Sequence, residues 1–192
     1  MNELCRVALQ VQCECDKRGW RFCFIGGLAV QYWGEPRFTR DVDLTLLTGF
    51  GGEEAYIDPF LKAFAPRIEN CREFALQNRV LLLESSEGIG IDIALGALPF
   101  EEYAVNRAQL VEMEPGAILR LCSVEDLVVM KAFADRLQDQ LDVQRIFERQ
   151  GVRNLDWEYI LHHLAPLCEL KGAPEILKKL EKLKESLTEQ GQ

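Results

Sequence analysis

Apolar residues at three- and four-residue steps open the chain. Leu4, Val7, Ala8, Val11 and Cys15 line one face of a helix predicted over residues 3 to 18, and Gly19 stops it. Residues Trp20 to Ile25 form the predicted first strand. Gly26-Gly27 breaks that run, Leu28 to Trp33 supplies about two helical turns, and Gly34 and Pro36 mark a loop. From Asp41 to Leu46 the pattern switches to strict alternation. It places Asp41, Asp43 and Thr45 on one face of a strand and Val42, Leu44 and Leu46 on the other. A glycine-rich loop at residues 48 to 52 leads to a helix over 53 to 64, which packs Tyr56, Ile57, Phe60, Leu61 and Phe64 and ends at Pro66.

Residues 73 to 95 read as a hairpin whose second arm has two contrasting faces. Glu87, Ile89, Ile91, Ile93 and Leu95 share one parity, while Gly88, Gly90, Asp92, Ala94 and Gly96 share the other. That second face is either a glycine-bulged edge strand with an incidental acid, or a floor kept low for a ligand, with Asp92 as its one carboxylate. A short helix over 99 to 108 follows, then a small hairpin around residues 114 to 116. Ser123 caps a long helix running to about Arg149, Asn154-Leu155-Asp156 starts another to about Leu170, and Pro174 starts a last one to Leu187, rich in Lys and Glu and read as a solvated cap. The expected class is α/β in the α+β sense: a mixed sheet with flanking helices over residues 1–122, then a C-terminal helical region over 123–192 packed on it.

The candidate chemistry gathers in the alternating strand. The Cα atoms of Asp41 and Asp43 lie roughly 6.5 Å apart along it, and carboxylates held that close call for a cation such as Mg2+. Taken alone, an Asp-x-Asp is most often a solvated outer face. Its company argues otherwise, because Gly26-Gly27 opens a helix whose free N–H groups and dipole suit a phosphate, with thirteen residues between Gly27 and Asp41 for the return. Further on, Lys131, Asp135, Asp139 and Asp142 fall within an arc of about 80° on the long predicted helix, opposite Val129, Ala132, Phe133, Leu137, Leu141, Val143 and Phe147. A solvated face with i,i+4 pairs competes with a functional one there.

Gly26-Gly27, a spacer, and Arg37-x-Thr39-x-Asp41-x-Asp43-Leu44 together resemble the signature of DNA polymerase beta-like nucleotidyltransferases, nearest their small stand-alone branch with AbiEii-type abortive-infection toxins. The resemblance implies a nucleotidyltransferase-type sheet and transfer of a nucleoside monophosphate from a nucleoside triphosphate, ATP among them, to an acceptor hydroxyl with two Mg2+ ions. Asp41, Asp43 and Asp92 would hold the metals, with Asp92 near the attacking group. Gly26 and Gly27 would hold phosphate oxygens, Arg37 and Arg40 would neutralise charge, and Thr39 would order the loop. Lys131 would lean over the triphosphate. The family's Lys-x-x-x-Ala-x-Arg-x-x-Asp-x-x-Asp pattern is met with a small departure around Ala134-Asp135-Arg136, and Asp139 or Asp142 would orient Lys131 or the acceptor. A tRNA end, a protein side chain and a small molecule such as an aminoglycoside all fit as acceptor. A non-catalytic nucleotide- or partner-binding relative in a toxin–antitoxin-like system, and a two-metal phosphoesterase, are the competing classes, although all three acids being present argues against lost activity.

Charge and cysteines narrow this further. A net charge of −9 disfavours extended DNA binding and leaves room for a small or local acceptor. There is no basic leader followed by an apolar run and no bilayer-length apolar segment, which predicts a cytoplasmic protein without a membrane partner. Seven scattered cysteines then read as reduced core residues, and Cys13-x-Cys15 lacks the spacer of a zinc knuckle. His162 and His163 point about 100° apart on their helix and read as packing or surface residues.

Overall fold

A computed structural model describes residues 1–190. The chain folds as two units, Met1–Leu28 with Phe38–Cys122, and Ala29–Arg37 with Ser123–Gln192.

The first unit is built on a seven-stranded mixed sheet among the described residues. In chain order its elements are α1 (Glu3–Asp16), β1 (Phe22–Phe24), the start of α2 (Gly26–Trp33), β2 (Asp41–Leu47), α3 (Glu54–Ala63), β3 (Ala65–Pro66), α4 (Cys71–Asn78), β4 (Val80–Glu84), β5 (Gly90–Gly96), α5 (Pro99–Asn106), β6 (Gln109–Glu114) and β7 (Ala117–Leu121). The strand order is β3-β4-β5-β2-β1-β7-β6. β2 runs parallel to β5 and antiparallel to β1, and β4 is antiparallel to β5.

The two-residue alternation of the sequence becomes rows across this sheet. Leu81, Ile93, Leu44 and Phe24 are successive partners in one row, and Leu83, Ile91 and Val42 in the next. All seven side chains are fully buried, each contributing roughly 1.5–3 kcal/mol of apolar transfer energy. The opposite face carries the polar rows, Leu82–Asp92–Asp43 and Glu84–Gly90–Asp41. β5 is therefore interior, flanked by β4 and β2, and the edge-strand reading of its glycines is excluded.

The structure corrects the sequence reading at the start of the predicted hairpin. Residues Cys71–Asn78 are helical, bracketed by Asn70 and Arg79 in the left-handed region, and the strand begins only at Val80. The hairpin itself is the β4–β5 pair.

The second unit contains the end of α2 and the helices α6 (Val124–Ala134), α7 (Leu137–Gln150), α8 (Trp157–Lys171) and α9 (Glu175–Gln190), with a 3-10 turn at Val152–Asn154. The single long helix predicted from Ser123 to Arg149 is thus two. Asp135 turns left-handed at φ 55 and Arg136 is extended, which ends α6 and restarts the chain as α7. Side-chain chemistry explains the break. In an unbroken helix Lys131 and Asp139 would lie about 12 Å apart along the axis, whereas here Lys131 Nζ is 2.8 Å from Asp139 Oδ1. Leu137 and Leu141, expected on the packed side, are exposed. α9 is not wholly a solvated cap, since it buries Ile176 and Leu180.

Six of the seven cysteines are buried. Burial pushes the Cys15 thiol up to about 12, so it is inert at neutral pH. Among the described residues no helix is long and apolar enough to cross a membrane.

The N-cap of α6 is a local stability test. Ser123 Oγ accepts from the Asp126 N–H and donates to Asp126 Oδ2 at 2.6 Å, and Tyr159 Oη donates to Asp126 Oδ1 at 2.6 Å. Asp126 is fully buried. Ser123→Ala should cost about 2 kcal/mol in urea denaturation, the sum of a lost cap and a buried carboxylate deprived of one donor.

Candidate active site

β2 carries Asp41 and Asp43 on its polar face because Val42 and Leu44, on the other parity, are drawn into the core. Parallel pairing sets Asp43 directly opposite Asp92 and Asp41 opposite Gly90. Neighbouring strands are about 4.8 Å apart, so acids from two distant stretches share one patch. Their carboxyl groups are partly open, with Asp41 46% and Asp92 31% exposed in the side chain.

Two sets of donors organise these acids. The amide of Gly27, at the start of α2, donates to Asp43 Oδ2 at 3.3 Å. Gly26 has a φ of +58, and a Cβ there would lie 2.1 Å from Asp43 Oδ2, so only glycine lets the carboxylate approach the helix start. A Cβ on Gly27 would meet Thr39 Oγ1 at 2.4 Å, which seats Thr39 against the same turn. The helix start expected to cradle phosphate therefore faces the acid patch, and its Gly27 amide is engaged by Asp43.

The other donor is Arg67, which the sequence reading did not single out. Its Nη1 is 3.4 Å from Asp41 Oδ1 and its Nη2 is 2.5 Å from Asp92 Oδ1. No motif marks it; only the strand order, with β3 and β4 beside β5, delivers it. Gly90 makes the room, since a Cβ there would fall 2.1 Å from Asp41 Oδ1 and 2.4 Å from Arg67 Nη1. Burial lifts the pKa of Asp92 above the usual carboxylate value; Arg67 pulls against that, and Asp41 adds to it. Arg40 lies with its guanidinium 5.5 Å from the centre of the Phe38 ring.

Three carboxylates make a hard oxygen donor set of the kind divalent cations take, and Asp41 and Asp92 already share one cation in Arg67. Among the described residues no three acidic, histidine or cysteine groups converge as a metal cluster. The geometry shows why: Asp43 leans to the Gly27 amide, while Asp41 and Asp92 lean to Arg67.

In the second unit, Lys131, Asp139 and Asp142 meet as a buried network and not as a solvated face. Lys131 Nζ lies 2.8 Å from Asp139 and 2.9 Å from Asp142. Arg37 grips Asp142 with Nε and Nη2 at 2.8 and 2.9 Å, Gln138 donates to Asp142, and Arg136 donates to Asp139. Burial pushes both aspartates up, but the donated hydrogen bonds outweigh it and hold both below the ordinary value. Asp135 stands apart, paired with Lys179 at 2.6 Å. The rings of His162 and His163 lie almost perpendicular, at 84°.

The sequence is similar to one described family over most of its length: "Nucleotidyl transferase AbiEii toxin, Type IV TA system" matches residues 14–189. No curated protein matches it. Similar solved structures include the antibiotic-resistance factor ANT(2'')-Ia in solution, at 13% identity over 97% of this chain and 91% of that one, with a TM-score of 0.47. The same protein in complex with adenylyl-2''-tobramycin gives 14% identity over 100% of both chains and a TM-score of 0.48. An antigenic nucleotidyltransferase-like protein from Paracoccidioides brasiliensis gives 16% over 93% and 92%, also at 0.48.

Two outcomes follow for this patch and for the buried network. Gly90→Ala should leave the melting temperature almost unchanged, because flexible side-chain ends can shift, while a crystal structure of the variant should show Asp41 Oδ1 and Arg67 Nη1 displaced from one another. Asp139 and Asp142, with folded pKa values below 3.8, stabilise the fold fully above that value and lose the contribution as pH falls through their folded values. Denaturation midpoints should therefore drop as pH falls below about 4. The drop should persist in molar salt, which screens exposed pairs but not buried ones.

Proposed function

The chain belongs to the AbiEii family of nucleotidyl transferase toxins, and on that premise we propose that it moves a nucleoside monophosphate from a nucleoside triphosphate, ATP among them, to an acceptor hydroxyl. The observation that carries this reading is the cross-strand pairing of Asp43 with Asp92, with Asp41 and Asp92 sharing a single cation beside the start of α2. Asp41, Asp43 and Asp92 would hold Mg2+, which when bound neutralises the triphosphate oxygens and lowers the pKa of the acceptor hydroxyl.

The remaining work falls to the chain's own groups. The N–H groups at the start of α2, at Gly26 and Gly27, bind phosphate oxygens, the Gly27 amide exchanging its contact with Asp43 for one of them, with Thr39 fixing the loop in front of them. Asp92, whose pKa is raised, receives the proton of the acceptor hydroxyl. A new P–O bond forms to the α-phosphorus in line as the α–β bridging bond breaks, and pyrophosphate leaves. For Arg40 we propose charge neutralisation of the triphosphate; Arg37 and Lys131, the other cations expected there, are held by Asp142 within the second unit. The net charge of −9 favours a small or local acceptor over a long nucleic-acid duplex. We place the reaction in the cytoplasm, where free thiols persist.

Incubation of the protein with labelled triphosphates, Mg2+ and cell extract tests the reading. Label fixed on an acceptor is the expected result, whereas released monophosphate alone would make the protein a phosphoesterase and retention of intact triphosphate a binding module. Replacing Asp41 and Asp43 together with alanine should lower transfer at least a thousandfold while the protein stays folded. Undiminished transfer would overturn the assigned site.

A further inference from the structure

Arg67 stands where a metal ion would be expected to compete. Its backbone is fixed, since its N–H donates to Leu82 O at 3.0 Å directly after β3. From there the side chain reaches two carboxylates on two different strands, one through each terminal nitrogen. Each carboxylate takes a single nitrogen, so neither contact is the two-pronged Arg–carboxylate grip that binds most strongly. The Arg67 side chain is 30% exposed. The sequence leaves space for it, because Gly90 carries no side chain where Asp41 and Arg67 converge.

These contacts have a consequence for any ion that binds there. Without Arg67, Asp41 and Asp92 would repel across the β2–β5 pair. With it they are neutralised and oriented, but the position between them is taken. We propose that Arg67 is a built-in counter-cation, a positioning residue that keeps Asp41 and Asp92 facing one another and that a divalent ion must displace. The inference rests on the reading of Asp41, Asp43 and Asp92 as the metal-binding acids. It makes metal affinity the difference between two cations competing for the same oxygens, so the resting protein binds the ion more weakly than its carboxylates alone would.

Mn2+ titration of the full chain, followed by electron paramagnetic resonance, tests this without reference to turnover. Wild type is compared with Arg67→Met, Arg67→Lys and Asp92→Asn, each checked for its melting transition by circular dichroism. Arg67→Met should bind Mn2+ roughly fivefold more tightly, the scale of a partly exposed ion pair. Arg67→Lys, a compact charge that cannot span both acids, should fall between. Arg67→Gln repeats the comparison with a neutral donor if the methionine variant does not fold. Unchanged or weaker Mn2+ binding on loss of the guanidinium, with binding still abolished by Asp92→Asn, would overturn the counter-cation and leave the acid site standing. Mn2+ binding indifferent to Asp92→Asn would overturn the acid site and the counter-cation with it.

Discussion

Parallel pairing of β2 with β5 is the constraint on which the first unit depends. One register sets two outcomes at once, burying Val42 against Ile91 and Leu44 against Ile93, and bringing Asp43 opposite Asp92. Because side chains alternate with a period of two, a slip of one residue would turn the apolar rows outward and the acids into the core. The hydrophobic face therefore protects the placement of the acids. The acids themselves supply little stability, and burial works against the ionised form of Asp92.

Charge in this protein is managed in two ways. At the acid patch the carboxylates are partly open and their cation contacts are single-pronged, an arrangement that can be remodelled at modest cost. In the second unit Asp139 and Asp142 are sealed from solvent and saturated by Lys131, Arg37, Arg136 and Gln138. Buried ions of that kind are held because breaking one pair strands another charge. The break at Asp135 belongs to the same arrangement, since it is what lets Lys131 meet residues eight and eleven positions later.

Much of this was legible along the chain. The alternation at Asp41–Leu46 and the two-faced stretch around Asp92 assigned strands and faces correctly, because burial rewards the period of two wherever one face of a sheet is covered. The glycines at 26, 27 and 90 signalled close approach. The structure shows that what approaches at those positions is Asp43, Thr39, Asp41 and Arg67. The residues around 73 to 78 were misread because apolar content in so short a segment does not distinguish strand from helix.

The sequence by itself determined the class of fold, the acidic strand with its glycine turn, and the polar face on which Asp92 sits, since each depends on local periodicity or on a motif of nearby residues. Only the tertiary structure decided that Arg67 stands between Asp41 and Asp92 and that Lys131, Asp139 and Asp142 form a buried network. The physical reason is separation along the chain. An ion pair leaves no periodic trace in sequence, and its partners are chosen by strand order and helix breaks that only packing of the whole unit can set.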